Sequence, residues 1–350
     1  MNAKRRIAKL TPGQSNPHWW VGSDAPSDVS FIAQTASHVS ESVATSEFLR
    51  ANGVSTRVFL PTRPSGFTKN LRRSFHRAIE AENRLATTGN RHGDDRISID
   101  RIVRSSEKIV VFNDWGMPRD LVCLANNRGV ETFGWVEGFQ DFNNVDTRRD
   151  ALPYSQVHKV LGLVPSEAQF FEESRFFLVG SHRLTSFKNS SVPSDERSLD
   201  VLVNLNFTYG TSRRYARDWA RRVSHACKTA NRDALFSRHA LDKARRGYRY
   251  ASLGPLGDVI CEARTLVTRS GSALLEGLAA GCDVIFFNPN RERAADYLTS
   301  EFPAIREVTA DSELAEALAC RPDFTTMTVC DTFCATDPGR KVLEVIQDGS

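Results

Sequence analysis

Short apolar runs alternate with polar turns and with longer amphipathic stretches along the first half of the chain. Short apolar runs are typical of strands buried in a parallel sheet, and apolar residues three and four apart are typical of helices that cover it. The pattern predicts strands at 29–34, 57–60, 108–112, 132–136, 160–164 and 176–179. It predicts helices at 43–52, 70–85 and 118–127, the first after a polar turn at 35–42. The first half is therefore predicted to be a Rossmann-like α/β unit.

The same alternation restarts after a polar, irregular segment at 187–198. It predicts strands at 199–205, 235–239, 248–253, 265–268 and 283–287, and helices at 312–319 and 340–346. We therefore predict a flexible N-terminal lead (1–27), a first Rossmann-like domain (28–186), a linker (187–198) and a second Rossmann-like domain (199–350). His182 and Arg183, just before the linker, are expected to be hinge contacts.

One segment of the second half, 267–289, combines a small polar turn, a short helix, a glycine stop and a buried strand. Ser270 or Ser272 is expected to cap the helix by accepting a backbone hydrogen bond. Gly281 suits the left-handed position that ends a helix. A hydroxyl-rich helix start at the end of a parallel strand suits a phosphate, and Glu276 lies one turn further on, where a ribose hydroxyl can reach it. An ordinary capped helix explains the same residues without any ligand.

Composition limits the classes of function. Of the 350 residues, 40% are hydrophobic and 25% are charged, as in globular proteins, and no apolar run is long enough to span a bilayer. The basic N-terminus lacks the apolar core of a secretory signal. The seven cysteines form no zinc-type double pair. We expect a cytoplasmic protein with reduced thiols.

The formal net charge is only +4, but arginine is concentrated in the predicted helix around 212–223. Arg213, Arg217 and Arg221 share one stripe of that helix, and Tyr215, Trp219 and Val223 share another. A solvated basic face over packed aromatic residues is one interpretation. The other is attraction to phosphorylated acceptors or to the inner membrane face, at which the protein would be peripheral. Nucleic acid is not expected, because no recognised binding module accompanies the charge.

Several polar residues follow predicted strands, at the edge where open α/β sheets bind ligands. Asp114 and Glu137 are candidate catalytic acids in the first half, although carboxylates at such turns also serve as turn formers. His239 is a further catalytic candidate, although a single histidine is commonly structural. The donor-side candidates are Thr208, Gly210, Arg238, Arg269, Ser270, Gly271, Ser272 and Glu276. No Asp-x-Asp pair or His/Cys cluster indicates a metal site, and the glycine fingerprint for NAD or FAD is missing.

The segment TRSGSALLEGLAAGCDVIFFNP resembles the donor-binding segment of GT-B glycosyltransferases. In that segment a Ser/Thr-rich turn meets the nucleotide phosphates, an acidic residue meets the ribose, and a strand follows. The order of elements around it also agrees. The resemblance implies an α/β GT-B fold, with two Rossmann-like domains facing across a cleft, and transfer without a metal ion or other cofactor.

Within GT-B enzymes, the chain is similar to bacterial surface-polysaccharide transferases, including those that use CMP-sialic acid or CMP-Kdo. The counterparts of their motifs are Val136-Glu137-Gly138, His239-Ala240 and Ser270-Gly271-Ser272. Valine replaces one acid, alanine replaces a proline, and glycine separates the two serines. The resemblance implies that Glu137 is the base, with Asp114 and Asp141 in reserve, and that the donor nucleotide is CMP or UDP.

The resulting hypothesis is a glycosyltransferase that moves a sugar from a nucleotide-sugar donor to a glycan or lipid-linked acceptor in surface-polysaccharide synthesis. Three alternatives stay open. A nucleotide-sugar 2-epimerase and a polyol-phosphate transferase share this fold, and the altered motifs are compatible with a catalytically inactive binding subunit.

Overall fold

The computed structural model describes residues 20–21, 25–61, 96–114, 117–138, 142–144, 149–150, 153–205, 215–238, 256–269, 271–291, 301–320 and 337–348. The predicted helix at 70–85 and the predicted strand at 248–253 lie outside these residues. None of the helices in the described ranges has the length and apolar character that crossing a membrane requires.

An eight-stranded sheet forms the first half. Its strands are β1 (Trp20–Val21), β2 (Ser27–Ile32), β3 (Thr56–Pro61), β4 (Arg96–Ile97), β5 (Ser106–Val111), β6 (Glu131–Trp135), β9 (Lys159–Gly162) and β10 (Phe176–Leu178). Two further strands, β7 (Asn143–Asn144) and β8 (Arg149–Asp150), form a separate antiparallel pair. The order is β10-β9-β6-β5-β2-β3-β1-β4, parallel from β10 to β3 and antiparallel at β1. The helices are α1 (Ala36–Ala51), α2 (Ile99–Arg104), α3 (Met117–Asn127) and α4 (His182–Ser190).

A five-stranded parallel sheet forms the second half. Its strands are β11 (Leu199–Leu205), β12 (Ala234–Arg238), β13 (Ala263–Thr268), β14 (Asp283–Phe287) and β15 (Ile305–Val308), in the order β12-β11-β13-β14-β15. The helices are α5 (Ala216–Thr229), α6 (Leu256–Ile260), α7 (Ala273–Ala279), α8 (Asp311–Ala319) and α9 (Pro338–Gln347). All five residues of β14 are buried, as expected for a strand covered on both faces.

Helices and buried apolar side chains of the two halves pack against each other. The helix α4 contacts both α1 and α7, and α9, at the end of the chain, contacts α1 of the first half. One cluster of buried apolar residues extends from the first sheet into the second half, where it includes Leu202, Leu266 and Val284. A second cluster lies on the other side of the second sheet and contains Val201, Val203 and Trp219. Burial of this apolar surface stabilises both sheets and their contact.

Three local predictions differ from the structure. The helix α1 begins at Ala36 rather than at 43, because Thr35 caps it and the hydroxyl of Ser42 donates to the carbonyl of His38 inside it, at 2.7 Å. The start of the predicted linker is helical up to Ser190, because Glu41 and Ser181 accept the first N–H groups of α4. Trp20 and Val21, in the predicted lead, form a short strand against β3.

The arginine helix α5 has the predicted two faces. Arg217 and Arg221 are exposed, whereas Trp219 and Val223 are buried. The indole N–H of Trp219 donates to the carbonyl of Phe287 at 3.0 Å, so the buried face is anchored to β14. Tyr215 differs from the prediction, because it precedes the first turn and is exposed.

Candidate functional site

An open cleft lies where the ends of β5, β6 and β9 meet the start of α7. It has an empty volume of about 410 Å³, counting its open mouth. The first half and α4 contribute ten lining residues, and Ser272 comes from the second half. The lining residues are Ser37, His38, Glu41, Phe112, Trp135, Val136, Glu137, Leu163, Ser181, Arg183 and Ser272. Glu137 and Ser272, predicted to lie on opposite sides of a cleft, thus line the same one.

Glu137 is the most exposed carboxylate among the described lining residues. It follows β6, its side chain is 27% exposed, and its Oε1 atom is in hydrogen-bond contact with Nε2 of His38. His38 lies in the first turn of α1 and is only 1% exposed. The backbone N–H of Gln34 donates to the other ring nitrogen, Nδ1, at 3.1 Å. Glu137 therefore lines the cleft and is hydrogen-bonded to a buried imidazole.

Aromatic side chains fix the position of that imidazole. The His38 ring stacks on Phe112, with 4.4 Å between centroids, and Phe112 stacks on Trp135 at 5.7 Å. The hydroxyl of Tyr154 donates to the carbonyls of Phe112 and Trp135, at 2.7 and 3.0 Å, and so joins the ends of β5 and β6. Gly134 is required beside it, because a Cβ at that position would lie 2.2 Å from the Tyr154 ring.

A second carboxylate, Glu41, has a different environment. It is 7% exposed, and the backbone N–H groups of His182 and Arg183 each donate to it at 2.9 Å. The hydroxyl of Ser181 is a third donor. Glu41 thus supplies the negative charge at the start of α4 and ties that helix to α1. These donors give it a structural role.

Arg183 connects the two halves at the same place. Its Nη1 atom is 2.8 Å from Oε1 of Glu276, in α7, and 3.3 Å from the hydroxyl of Ser37, in α1. Both partners of the ion pair are largely buried, with side chains 22% and 7% exposed. The hinge contact expected of Arg183 from the sequence is therefore a charged contact between α4 and α7.

The neighbouring His182 is a half-buried titratable group. Burial lowers its pKa, although the charges of Glu41, Asp337 and Glu47 act in the opposite direction. Its Nε2 atom is buried and has no hydrogen-bond partner among the described residues. A neutral imidazole is the form that this environment favours.

The donor segment differs in part from its sequence-based prediction. Ser272 stands at the start of α7 but its side chain makes no capping hydrogen bond, so it does not serve as the predicted cap. Gly281 has φ +70°, as predicted for a left-handed helix end, and an added Cβ would lie 2.9 Å from the Arg197 side chain. Arg197 donates to the carbonyls of Ala263, Ala280 and Gly281, at 2.7 to 2.8 Å, and so fixes the turn before β14.

The remaining predicted site residues fall into two groups. Asp114 is 3% exposed, Arg269 and Gly271 are also buried, and none of the three lines the cleft. Asp114 accepts a long hydrogen bond, 3.4 Å, from the backbone N–H of Gln156. Arg238 ends β12, but its side chain lies outside the description. The other candidates, Thr208, Gly210, His239, Ser270 and the reserve acid Asp141, lie outside the described residues.

His38 and Glu41 are the site residues that the sequence reasoning missed. Both lie in 35–42, which was predicted as a polar turn and is the first part of α1. Thr35 was the available signal, because a threonine after a strand commonly caps a helix by accepting the N–H three residues on. That N–H belongs to His38, at 3.3 Å. No group of His, Cys, Asp or Glu suited to a metal ion occurs within the described ranges.

Comparison with known proteins identifies the fold. No protein-family model matches the chain, and no curated protein matches its sequence. A UDP-GlcNAc 2-epimerase from Methanocaldococcus jannaschii, in complex with UDP-GlcNAc and UDP, has a TM-score of 0.66 and 11% identity, over 92% of this chain and 100% of that one. A UDP-GlcNAc 2-epimerase from Neisseria meningitidis, bound to UDP-GlcNAc, has a TM-score of 0.57 and 10% identity, over 92% and 100%.

The H444N variant of the wall teichoic acid polymerase TagF is also similar, with a TM-score of 0.52 and 10% identity, over 93% of this chain and 90% of that one. At these identities the likeness shows the fold. The chain has the predicted α/β GT-B fold, with two Rossmann-like domains facing across a cleft. The similarity to CMP-sugar-using transferases stays a prediction.

Proposed function

We propose that the protein is a glycosyltransferase that moves a sugar from a nucleotide-sugar donor to a glycan or lipid-linked acceptor. The observation that carries the proposal is the placement of Glu137 on the first-half wall of the cleft, backed by His38, with Ser272 on the other side. A carboxylate held at the cleft is suited to take a proton from an acceptor hydroxyl.

Glu137 is the single base that the transfer step needs. The acceptor hydroxyl gives its proton to Glu137 while the acceptor oxygen forms a bond to the anomeric carbon of the sugar. The bond from that carbon to the phosphate oxygen breaks, and the nucleotide leaves with the bonding electrons. The proton on Glu137 passes to solvent after product release. Backbone N–H groups and cationic side chains stabilise the charge that develops on the phosphate.

The donor side of the proposal uses the second half. Ser272 faces the cleft and Glu276 lies one turn behind it. We assign them to the nucleotide phosphates and the ribose. Arg269 and Gly271 are buried beside the same turn and do not line the cleft, so a role for them in donor binding requires that this turn opens. The same assignment extends to Thr208, Gly210, Arg238, His239 and Ser270. If a ribose hydroxyl binds to Glu276, either the ion pair between Arg183 and Glu276 opens or the carboxylate accepts from both the guanidinium and the hydroxyl.

The partners belong to the same proposal. The nucleotide is CMP or UDP, and the similar structures that contain UDP-GlcNAc or UDP favour a nucleotide sugar as the ligand. Transfer is proposed to need no metal ion or other cofactor, with neutralisation supplied by the protein. The exposed Arg217 and Arg221 support a peripheral contact with the inner membrane face in a cytoplasmic protein, or with an anionic acceptor.

A nucleotide-sugar 2-epimerase is the second candidate, favoured by the two UDP-GlcNAc 2-epimerases of the same fold. Epimerisation removes the C2 proton from one face and returns a proton to the other, which calls for acid-base groups on both faces. Among the described lining residues, Glu41 has three donors and Glu137 alone is exposed, so one base suits transfer better.

The deciding experiment has two stages. A thermal-shift panel of UDP-GlcNAc, CMP-sialic acid, CDP-glycerol, GDP-mannose and dTDP-glucose identifies the donor, because a ligand of the native state raises Tm. The donor is then incubated in D2O and followed by proton NMR, with and without glycan acceptors. Transfer predicts nucleotide release that depends on the acceptor and a retained C2 proton. Deuterium at C2 without an acceptor would establish the epimerase, and binding without turnover would support an inactive subunit.

A further inference from the structure

We propose that His38 is a positioning residue for the base. In its Nε2–H form it donates to Glu137 and holds that carboxylate oriented toward the cleft. The inference rests on the proposed function of Glu137 and adds the group through which the base is controlled. It also assigns a role to a buried histidine in a segment that the sequence predicts to be a turn.

The hydrogen bonds determine the tautomer of His38. The N–H of Gln34 donates to Nδ1, so Nδ1 acts as an acceptor and carries no proton. In a neutral imidazole the proton is then on Nε2, the nitrogen in contact with Oε1 of Glu137. The contact is therefore a donation from the imidazole to the carboxylate, and it fixes the direction in which the carboxylate points.

The same arrangement makes Glu137, and not His38, the group that accepts the proton. If His38 took up a proton on Nδ1, that N–H would point at the N–H of Gln34, and the hydrogen bond between Gln34 and His38 would be lost. His38 is 1% exposed, and its ring is covered by Phe112 at 4.4 Å, so the substrate meets Glu137 first.

Position in the fold makes this pair sensitive to small movements. His38 is in the first turn of α1 and Glu137 follows β6, so the contact joins the end of one strand to the helix that follows another. The stack of His38, Phe112 and Trp135 and the two hydrogen bonds of Tyr154 keep both elements in place. A shift of about 1 Å at a reacting group can reduce a rate by about 10²-fold.

Two substitutions of His38 separate donation from packing. In His38→Gln the amide nitrogen lies as many bonds from Cβ as Nε2 does, so it can still donate to Glu137. In His38→Asn the amide lies at the place of Nδ1, so it can accept from Gln34 but cannot reach Glu137. His158→Asn is the matched control, because Nδ1 of His158 also accepts a backbone N–H, from Thr132 at 3.0 Å, at the opposite end of β6.

The rate is measured with the panel nucleotide sugar that gives turnover. We expect His38→Asn to reduce kcat about 10- to 100-fold, because the carboxylate loses the imidazole N–H that orients it, with KM for the donor near that of the parent. His38→Gln should recover most of the rate, and His158→Asn should leave it unchanged. Equal effects of Gln and Asn, or an unchanged kcat in His38→Asn, would overturn the inference.

A spectroscopic measurement on the unchanged protein covers the case in which the variants fail to fold. Histidine-selective 15N labelling and long-range proton–nitrogen correlation should report His38 as the Nε2–H tautomer throughout the pH range of activity. An imidazolium or an Nδ1–H tautomer there would overturn the inference. Full turnover by Glu137→Gln would overturn the assignment of Glu137 as the base, on which the inference rests, whereas loss in Glu137→Gln with a normal rate of His38→Asn would overturn only the role of His38. The proposed function is tested separately, by acceptor-dependent nucleotide release and retention of the C2 proton.

Discussion

The two walls of the cleft hold their carboxylates in different ways. On the first wall, Glu137 contacts His38 of α1, and Glu41 accepts hydrogen bonds from the start of α4. On the second wall, Glu276 is paired with Arg183, which reaches across from α4. These contacts of the first wall lie within the first half, whereas the ion pair of the second wall joins the two halves.

This difference indicates how the work of the site is divided. A preorganised base needs no rearrangement when substrate binds, so a wall built on α1 and β6 suits chemistry. A carboxylate that shares its partner with another element can exchange that partner for a ligand, which suits binding coupled to movement of one half against the other. Predictions for single residues follow from this division.

The largest effect is expected for Glu137→Gln. The amide keeps the shape of the side chain but cannot accept the proton of an acceptor hydroxyl, so transfer should fall by about 10² to 10⁴-fold, the size of a general-base contribution. Donor affinity, measured by calorimetry, and Tm should remain near those of the parent.

A matched control lies on the same strand. Glu131 begins β6, its side chain is 25% exposed against 27% for Glu137, and it is paired with Lys159 at 3.0 Å. Glu131→Gln should leave transfer within about twofold, because rim charges of this kind contribute little. A rate loss in both variants would mean that β6 is disturbed and would leave Glu137 without a special role. Normal transfer by Glu137→Gln alone would return the role to Asp114 or Asp141.

Glu41→Gln tests the structural carboxylate of the same wall. In the parent, three donors point at the two carboxylate oxygens of Glu41. In the variant, the amide NH₂ replaces one of these oxygens, so at least one donor would face another donor and lose its hydrogen bond. We expect the free energy of unfolding, from urea titration, to fall by about 1–3 kcal/mol, the cost of unsatisfied hydrogen bonds to a charged group. An unchanged urea midpoint would contradict this assignment.

Ser272→Ala tests the second wall. If the hydroxyl meets a nucleotide phosphate, its removal should weaken donor binding by about 1 kcal/mol, the scale of one hydrogen bond, or about fivefold in Kd. Ser272 caps no backbone N–H, so its loss should change stability little. Ser198→Ala is the control, since Ser198 is exposed at the other end of this half and bonds to Glu262. Unchanged affinity in Ser272→Ala would leave α7 as an ordinary helix.

The sequence predicted the sheets well and the links between them poorly. The strands at 199–205 and 283–287 were placed to the residue, because a continuous apolar run has few alternatives inside a parallel sheet. The sequence pattern did not predict the short strands β1 and β4, of two residues each, or β15, of four. Strands this short show no hydrophobic periodicity, and pairing with neighbouring strands stabilises them.

The site shows the same division. The position of Glu137 in the cleft could be predicted, because a carboxylate directly after a strand stands at the edge of the sheet where open α/β sheets bind ligands. Its role as the base stays a prediction. The ion pair of Arg183 with Glu276 was not predicted, because it depends on how α4 and α7 pack, which no local pattern encodes. His38 was missed because the serine-rich start of α1 has weak helix propensity, which capping by Thr35 overrides.

The smallest expected effect concerns pH and tests the junction between the walls. His182 begins α4, and burial lowers its pKa below 6.5 against the opposing charges of Glu41, Glu47 and Asp337. Between that lowered pKa and 6.5 the unfolded chain binds more protons than the native protein, so the free energy of unfolding rises with pH in this window. Above about pH 6.5 both states are neutral at this ring and the full stability is present. As pH falls, the stability is lost progressively, and the loss levels off below the lowered pKa.

His182→Gln removes the titrating ring and keeps the backbone N–H that donates to Glu41. Urea unfolding at a series of pH values from 7.5 downward should therefore show a shallower fall in the variant than in the parent. Parallel curves would mean that the ring is hydrated in solution and that the junction of α4 with α1 admits water.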